Sequence, residues 1–201
     1  MKTTILLSII NMFCLNSYGQ TAEEYFNRGN SKVELEDYRG AIADYTKAIE
    51  LNPNYANTYY NRGISKRKLE DYRGAIADYS KAIELNPNYA AAYYNRGFSK
   101  AELKDYRGAI ADYTKAIELN PNDVDAYYNR GNSKCKLEDY RGAIVDYTKA
   151  IELKPNYTAA YYNRGIVKLI LNQKDSGCLD LSKAGELGNA NAYESIKKHC
   201  Q

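Results

Sequence analysis

Side chains able to carry covalent or proton-transfer chemistry are few in this chain, and they are scattered. His199 is the single histidine. A Ser-His-Asp or Cys-His arrangement would rest on that one residue, beside Cys200 near the end of the chain. The four cysteines, Cys14, Cys135, Cys178 and Cys200, are not at metal-ligand spacings. No glycine-rich phosphate loop is present, because every Gly occupies a turn or a repeated position. The spacing therefore predicts no catalytic centre, no metal and no cofactor. What is abundant is Tyr, with 22 residues against 3 Phe and no Trp, and all but Tyr18 and Tyr193 fall at a few recurring places. Aromatic side chains with polar tips suit recognition more than catalysis.

A second recurring chemistry is charge. Arg28, Arg62, Arg96, Arg130 and Arg164 each precede an Asp by the same interval: Asp44, Asp78, Asp112, Asp146 and Asp180. Two readings fit, an ion pair that fixes the register of two helices or an anion-binding row of Arg. The ion pair is favoured, since each Arg has a matched carboxylate and a paired Arg is not free to recruit a ligand. Lys32, Lys66, Lys100, Lys134 and Lys168 recur as well and are read as solvated edges. The formal charge is +3, from 28 basic and 25 acidic residues. The two signs are interspersed, which does not suit a groove that tracks phosphates, so nucleic acid is not expected as a partner.

The elements that hold these residues follow from internal repetition. The stretch 36–54 recurs at 70–88 with one change, Thr46 to Ser80, and again with small changes in two later copies. The period of 34 residues cuts the chain into units 22–55, 56–89, 90–123 and 124–157, followed by a diverged unit over 158–191. Within the second unit, Tyr59, Tyr60, Gly63 and Ile64 fall at helical spacing up to about Leu69. Asp71 then opens a second helical run through Ala75, Ile76, Tyr79, Ala82 and Ile83, which Asn86-Pro87-Asn88 stops. One such hairpin cannot bury both faces. Stacking neighbours completes a continuous core, which predicts an all-α solenoid with a concave and a convex face.

The period, the small residues Gly29, Ala41 and Ala48, the aromatics Tyr25 and Tyr45, and Pro53 resemble the tetratricopeptide repeat pattern from 22 to about 187. That resemblance implies a right-handed α-solenoid of helix-turn-helix repeats whose first helices line a concave groove binding a protein or peptide. Carried over by position, the groove holds Phe26, Tyr60, Tyr94, Tyr128 and Tyr162. One turn on lie Asn30, Ile64, Phe98, Asn132 and Ile166, and beyond them Val33, Arg67, Ala101, Cys135 and Leu169. The tyrosines also admit a plainer reading, as packing between adjacent units. The family's clamp for a peptide carboxylate is not matched, because Phe26, Ala91 and Asn95 stand where its cations belong and only Asn elements such as Asn30 and Asn61 remain. An apolar or extended peptide is the expected ligand. A structural or assembly role, with units packing through their faces, is the alternative.

The two ends differ from the repeats. Lys2, the apolar run from Ile5 to Leu15, and Ser17-Tyr18-Gly19 have the build of a cleaved secretory signal over 1–19, with cleavage after Gly19. The run is too short and too interrupted for an integral membrane span. Export to the periplasm or beyond the cell is therefore expected. At the other end, 191–201 reads as a polar capping helix opened by Asn191 and Glu194 in capping-box spacing, which favours a monomeric array. A turn near 186–190 would bring Cys178 level with Cys200. In an exported chain these two are expected to form a disulfide, and in a cytosolic one both stay thiols.

Overall fold

The computed structural model describes residues 20–200, so the expected secretory signal, with Cys14, lies outside the described residues. The described residues form eleven helices and no strand. First helices of successive units are α1 (Ala22–Glu34), α3 (Ala56–Lys68), α5 (Ala90–Glu102), α7 (Val124–Lys136) and α9 (Thr158–Ile170). Each is followed by a second helix: α2 (Tyr38–Leu51), α4 (Tyr72–Leu85), α6 (Tyr106–Leu119), α8 (Tyr140–Leu153) and α10 (Lys174–Glu186). A last helix, α11 (Ala190–His199), packs on α10. Each helix packs on its hairpin partner and each hairpin on the next, as a solenoid requires. No described helix is long and apolar enough to cross a membrane.

Local chemistry sets where the helices begin and turn. Asp71 opens α4 by accepting a hydrogen bond from the Gly74 N–H at 2.9 Å, and Asp37, Asp105 and Asp139 do the same for α2, α6 and α8. This satisfies an amide that the helix itself cannot. Between the helices of a hairpin the chain turns through one residue at positive φ: Glu36, Glu70, Lys104, Glu138 and Asn172. That conformation costs a side-chain-bearing residue about 1–2 kcal/mol. It is held because it closes the turn, with the Asp71 N–H donating to the Lys66 carbonyl at 2.9 Å.

Inside each of the first four hairpins a tyrosine fills the gap left by a glycine. Tyr79 is wholly buried, as are Ala75 and Ala82 around it. A Cβ on Gly63 would lie 2.7 Å from the Tyr79 ring, so glycine is required there by close approach. The fifth unit solves the same problem differently. Leu181 replaces the tyrosine and is fully buried, and the helices meet glycine to glycine. A Cβ on Gly165 would lie 3.0 Å from the Gly177 carbonyl oxygen.

The capping helix departs from expectation at its start. Asn189, not Asn191, supplies the cap, accepting from the Asn191 N–H at 3.0 Å. The chain reaches the helical conformation two residues earlier, after the positive-φ residue Gly188 turns it at the end of α10. Ala192 is buried against the array, while Glu194, Lys197, Lys198 and His199 are exposed.

Candidate protein-binding groove

The recurring charges form a lock inside each hairpin. Arg62 grips Asp78 with two parallel bonds, Nε at 3.0 Å and Nη2 at 2.7 Å, while Lys66 Nζ reaches the same carboxylate at 2.7 Å. Asp44, Asp112, Asp146 and Asp180 hold their Arg and Lys alike. The lysines are thus not solvated edges. Each lies one turn beyond its Arg on the same helical face, and the buried carboxylate draws both cations in. The remaining Arg62 amine donates to Thr46 Oγ1 of the preceding unit at 3.0 Å, and Arg96 donates to Ser80 Oγ at 3.0 Å. The one difference between the first two second helices therefore preserves the hydroxyl that this bond needs. In the first unit the Arg28 guanidinium beside Asp44 holds that carboxyl below the usual carboxylate range, against the opposing effect of burial. With every one of these Arg residues paired, no anion-binding row remains.

The expected aromatic ladder lies where units meet. Phe26, Tyr60, Tyr94, Tyr128 and Tyr162 are all half-buried. Tyr60 packs against Tyr79 of its own unit and Tyr89 at the unit's end, with ring centroids 5.9 and 4.7 Å apart. Phe26 and Tyr128 make the equivalent contacts. Asn95, Asn129 and Asn163 of the following units donate to the hydroxyls of Tyr60, Tyr94 and Tyr128, at 3.1, 2.9 and 3.0 Å. Tyr162 sits 3.4 Å from Ser195 of the cap. Aromatic contact and hydrogen bond together make Tyr60, Tyr94 and Tyr128 the cement between units.

One turn further along the first helices the groove opens into pockets. Between the first two units a pocket of about 230 Å³ is lined by Asn30, Val33, Ile64 and Asn61. Phe98, Ala101, Tyr106 and Asn132 line one of about 350 Å³ between units three and four. The next, about 610 Å³, lies between units four and five against Tyr162, Ile166, Val167 and Ile170. The structure thus places Asn30, Ile64, Phe98, Asn132 and Ile166 in the walls of these pockets, a step away from most of the ladder. Asn30 and Asn61 are bonded to each other at 3.0 Å, and Asn30 also accepts from the Tyr45 hydroxyl at 2.8 Å. These Asn side chains are engaged in packing.

Two groove features escaped the sequence. Cys135 lies 3.4 Å from the Tyr147 hydroxyl, and burial pushes its thiol up, so little reactive thiolate is present at neutral pH. The Tyr79 hydroxyl and Arg67 Nε are both buried without a hydrogen-bond partner. In contrast, Tyr147 donates to Asn132 at 2.8 Å, as Tyr45 does to Asn30. Comparing units position by position shows Ile64 where Asn30 and Asn132 stand, but only the fold shows what that change leaves unpaired. At the cap, the structure places Cys178 and Cys200 within disulfide reach, with Cα atoms 5.8 Å apart.

A family model described as tetratricopeptide repeat matches residues 56–89, 90–123 and 124–157, and one described as TPR repeat matches 29–68. No curated protein matches the chain. Among solved structures, MamA protein is 28% identical with a TM-score of 0.80, over 90% of this chain and 96% of its own. YrrB, described as a TPR protein with an unusual peptide-binding site, is 23% identical with a TM-score of 0.81, over 93% and 97% of the two chains. MamA from Desulfovibrio magneticus RS-1 is 23% identical with a TM-score of 0.80, over 85% and 97%.

Proposed function

The chain belongs to the tetratricopeptide repeat family, and on that premise we propose that it is a non-catalytic scaffold holding an extended peptide segment of a partner protein in its concave groove. The observation that carries this reading is the row of pockets itself. Apolar and amide side chains line them together with a few charged ones, Glu34, Glu102, Lys104 and Lys136, and they lie where the units differ from one another. Such walls suit alternate side chains of an extended segment. The peptide-binding site named for YrrB, on a similar fold, points the same way. The lock consumes the repeated Arg and Lys side chains, which favours a protein over a nucleic acid as occupant.

We propose further, from the signal-like build of residues 1–19 and the approach of Cys178 to Cys200, that the chain is cleaved after Gly19, works outside the cytoplasm and carries that disulfide. The polar outer face of the cap keeps the array a single copy.

The test is selection of a random dodecapeptide display library on residues 20–201. Variants carrying Ile64→Lys with Ile166→Lys, or Val145→Lys on the outer face, are then probed with the selected peptides. Val145 is 66% exposed, so its replacement leaves the groove intact. Binding lost only in the double groove variant supports the proposal. Binding lost with Val145→Lys, or kept by the groove variant, moves the contact off the groove and overturns it.

A further inference from the structure

Among the described residues every half-buried Lys or Arg has a carboxylate partner, with one exception. Most pair with the five lock aspartates, and Lys81, Lys115 and Lys149 pair with a Glu one turn ahead. The exception is Arg67. It sits on the last turn of α3, at the groove position where other units carry Val33, Ala101, Cys135 and Leu169. Its guanidinium lies over the Phe98 ring of the next unit, 5.2 Å from the centroid. Its charge lowers the pKa of the Tyr60, Tyr72, Tyr79 and Tyr94 hydroxyls, opposing the effect of their burial. The cation therefore lies where units two and three meet. Glu102 also acts on the Tyr72 hydroxyl, yet it forms no ion pair with Arg67.

What this point lacks is a negative charge with paired acceptor atoms: the neutral Tyr79 hydroxyl lies within reach of the guanidinium but out of line for a full hydrogen bond. Arg67 can only donate, and its Nε is buried and unbonded. The fully buried Tyr79 hydroxyl is unbonded too, since Ile64 occupies the place from which Asn30 and Asn132 serve Tyr45 and Tyr147. A half-buried cation without a counter-charge is unfavourable, and stacking on one aromatic ring offsets that only in part. A carboxylate supplies both missing things, negative charge and paired acceptor atoms in the fork geometry of a guanidinium.

We propose that Arg67 reads an Asp or Glu side chain in the interior of the bound segment. The inference rests on the peptide-groove reading above and adds its central determinant. The carboxylate comes from a side chain and not from a chain end because pockets lie on both sides of Arg67. One is between units one and two, the other between units three and four, so the segment continues in both directions. The ligand is an extended peptide with one internal acidic residue.

The probe is the same random dodecapeptide library, selected in parallel on the unmodified protein and on Arg67→Gln. Arg67→Gln gives up the stacking on Phe98 but no ion pair, so its melting temperature stays within a few degrees of the parent's, whereas the loss of a lock residue would lower it far more. The expected result is enrichment of one internal Asp or Glu on the parent and its disappearance on Arg67→Gln, with the other enriched positions kept. In fluorescence anisotropy, changing that Glu to Gln in the selected peptide weakens parent binding about tenfold and leaves binding to Arg67→Gln unchanged. Glu102→Gln, which removes a like charge from the wall of the adjacent pocket, tightens the parent's grip on the acidic peptide. Apolar peptides selected with no acidic preference, or an acidic preference that survives Arg67→Gln, overturn this inference and leave the groove standing. Loss of binding on amidating the peptide's C-terminus, with no effect of the internal Glu to Gln change, overturns it in favour of a chain-end carboxylate. If neither protein selects any peptide, the groove reading falls and the inference falls with it.

Discussion

The lock and the groove occupy the same hairpins, yet they treat repetition in opposite ways. In the lock, Asp78 holds Arg62 and Lys66 as each sister aspartate holds its own pair, and the hydroxyl of Thr46 or Ser80 ties one unit to the next. Along the groove, Asn30, Ile64, Phe98, Asn132 and Ile166 share one position without sharing a chemistry. Every unit must dock on its neighbour in the same geometry, so the lock tolerates no variation. The array makes a lesser demand on this position, where Asn30 and Asn132 each serve a buried tyrosine but Ile64, Phe98 and Ile166 do not, so a partner that crosses each unit once can be met by a different side chain each time. Uniform positions thus report what the array needs of itself, and varied ones report where a partner can be distinguished.

The sharpest way to break this division is to strike the lock. Asp78→Ala leaves two cations half-buried without a carboxylate and is expected to cost about 3–5 kcal/mol, read as a fall in the urea midpoint. Ile64→Ala on the groove wall should cost about 1–2 kcal/mol, since its side chain is only half-buried. Equal losses from the two would erase the distinction.

The end of the array gives the next largest effect. Reducing the proposed bond between Cys178 and Cys200 should destabilise the cap by roughly 3 kcal/mol on the chain-entropy estimate. Hydrogen exchange would then rise in α10 and α11 and stay constant in α1 through α6. Unchanged protection at the cap would mean that the bond is absent or contributes nothing.

The smallest effect sharpens the comparison within the core. Tyr147→Phe removes a hydroxyl that donates to Asn132 and should cost about 1 kcal/mol, whereas Tyr79→Phe removes an unbonded one and should be close to neutral or mildly stabilising. Matching losses in thermal denaturation would show that Tyr79 has found an acceptor in solution.

Much of this was legible beforehand. The period, the paired helices and the matched Arg and Asp follow from a sequence that must repeat its own contacts. The lysines of the lock were legible in part: Lys66 lies four residues after Arg62, on the same helical face, so both could reach one carboxylate. Reading Lys66 alone as an edge missed that. The tie from Asn95 to the Tyr60 hydroxyl was not legible, because it depends on how far one unit rotates against the next. The same holds for Arg67, whose unpaired state is a fact about every other charge around it.

By itself the sequence determined the helices, their pairing and the stacking of like units, because periodicity and turn chemistry act over a few residues and repeat without change. Only the tertiary structure decided which half-buried polar groups are satisfied and which are left open at the groove. Hydrogen bonds and ion pairs depend on distances of a few ångström between residues about thirty positions apart, and those distances are set by the packing of whole units.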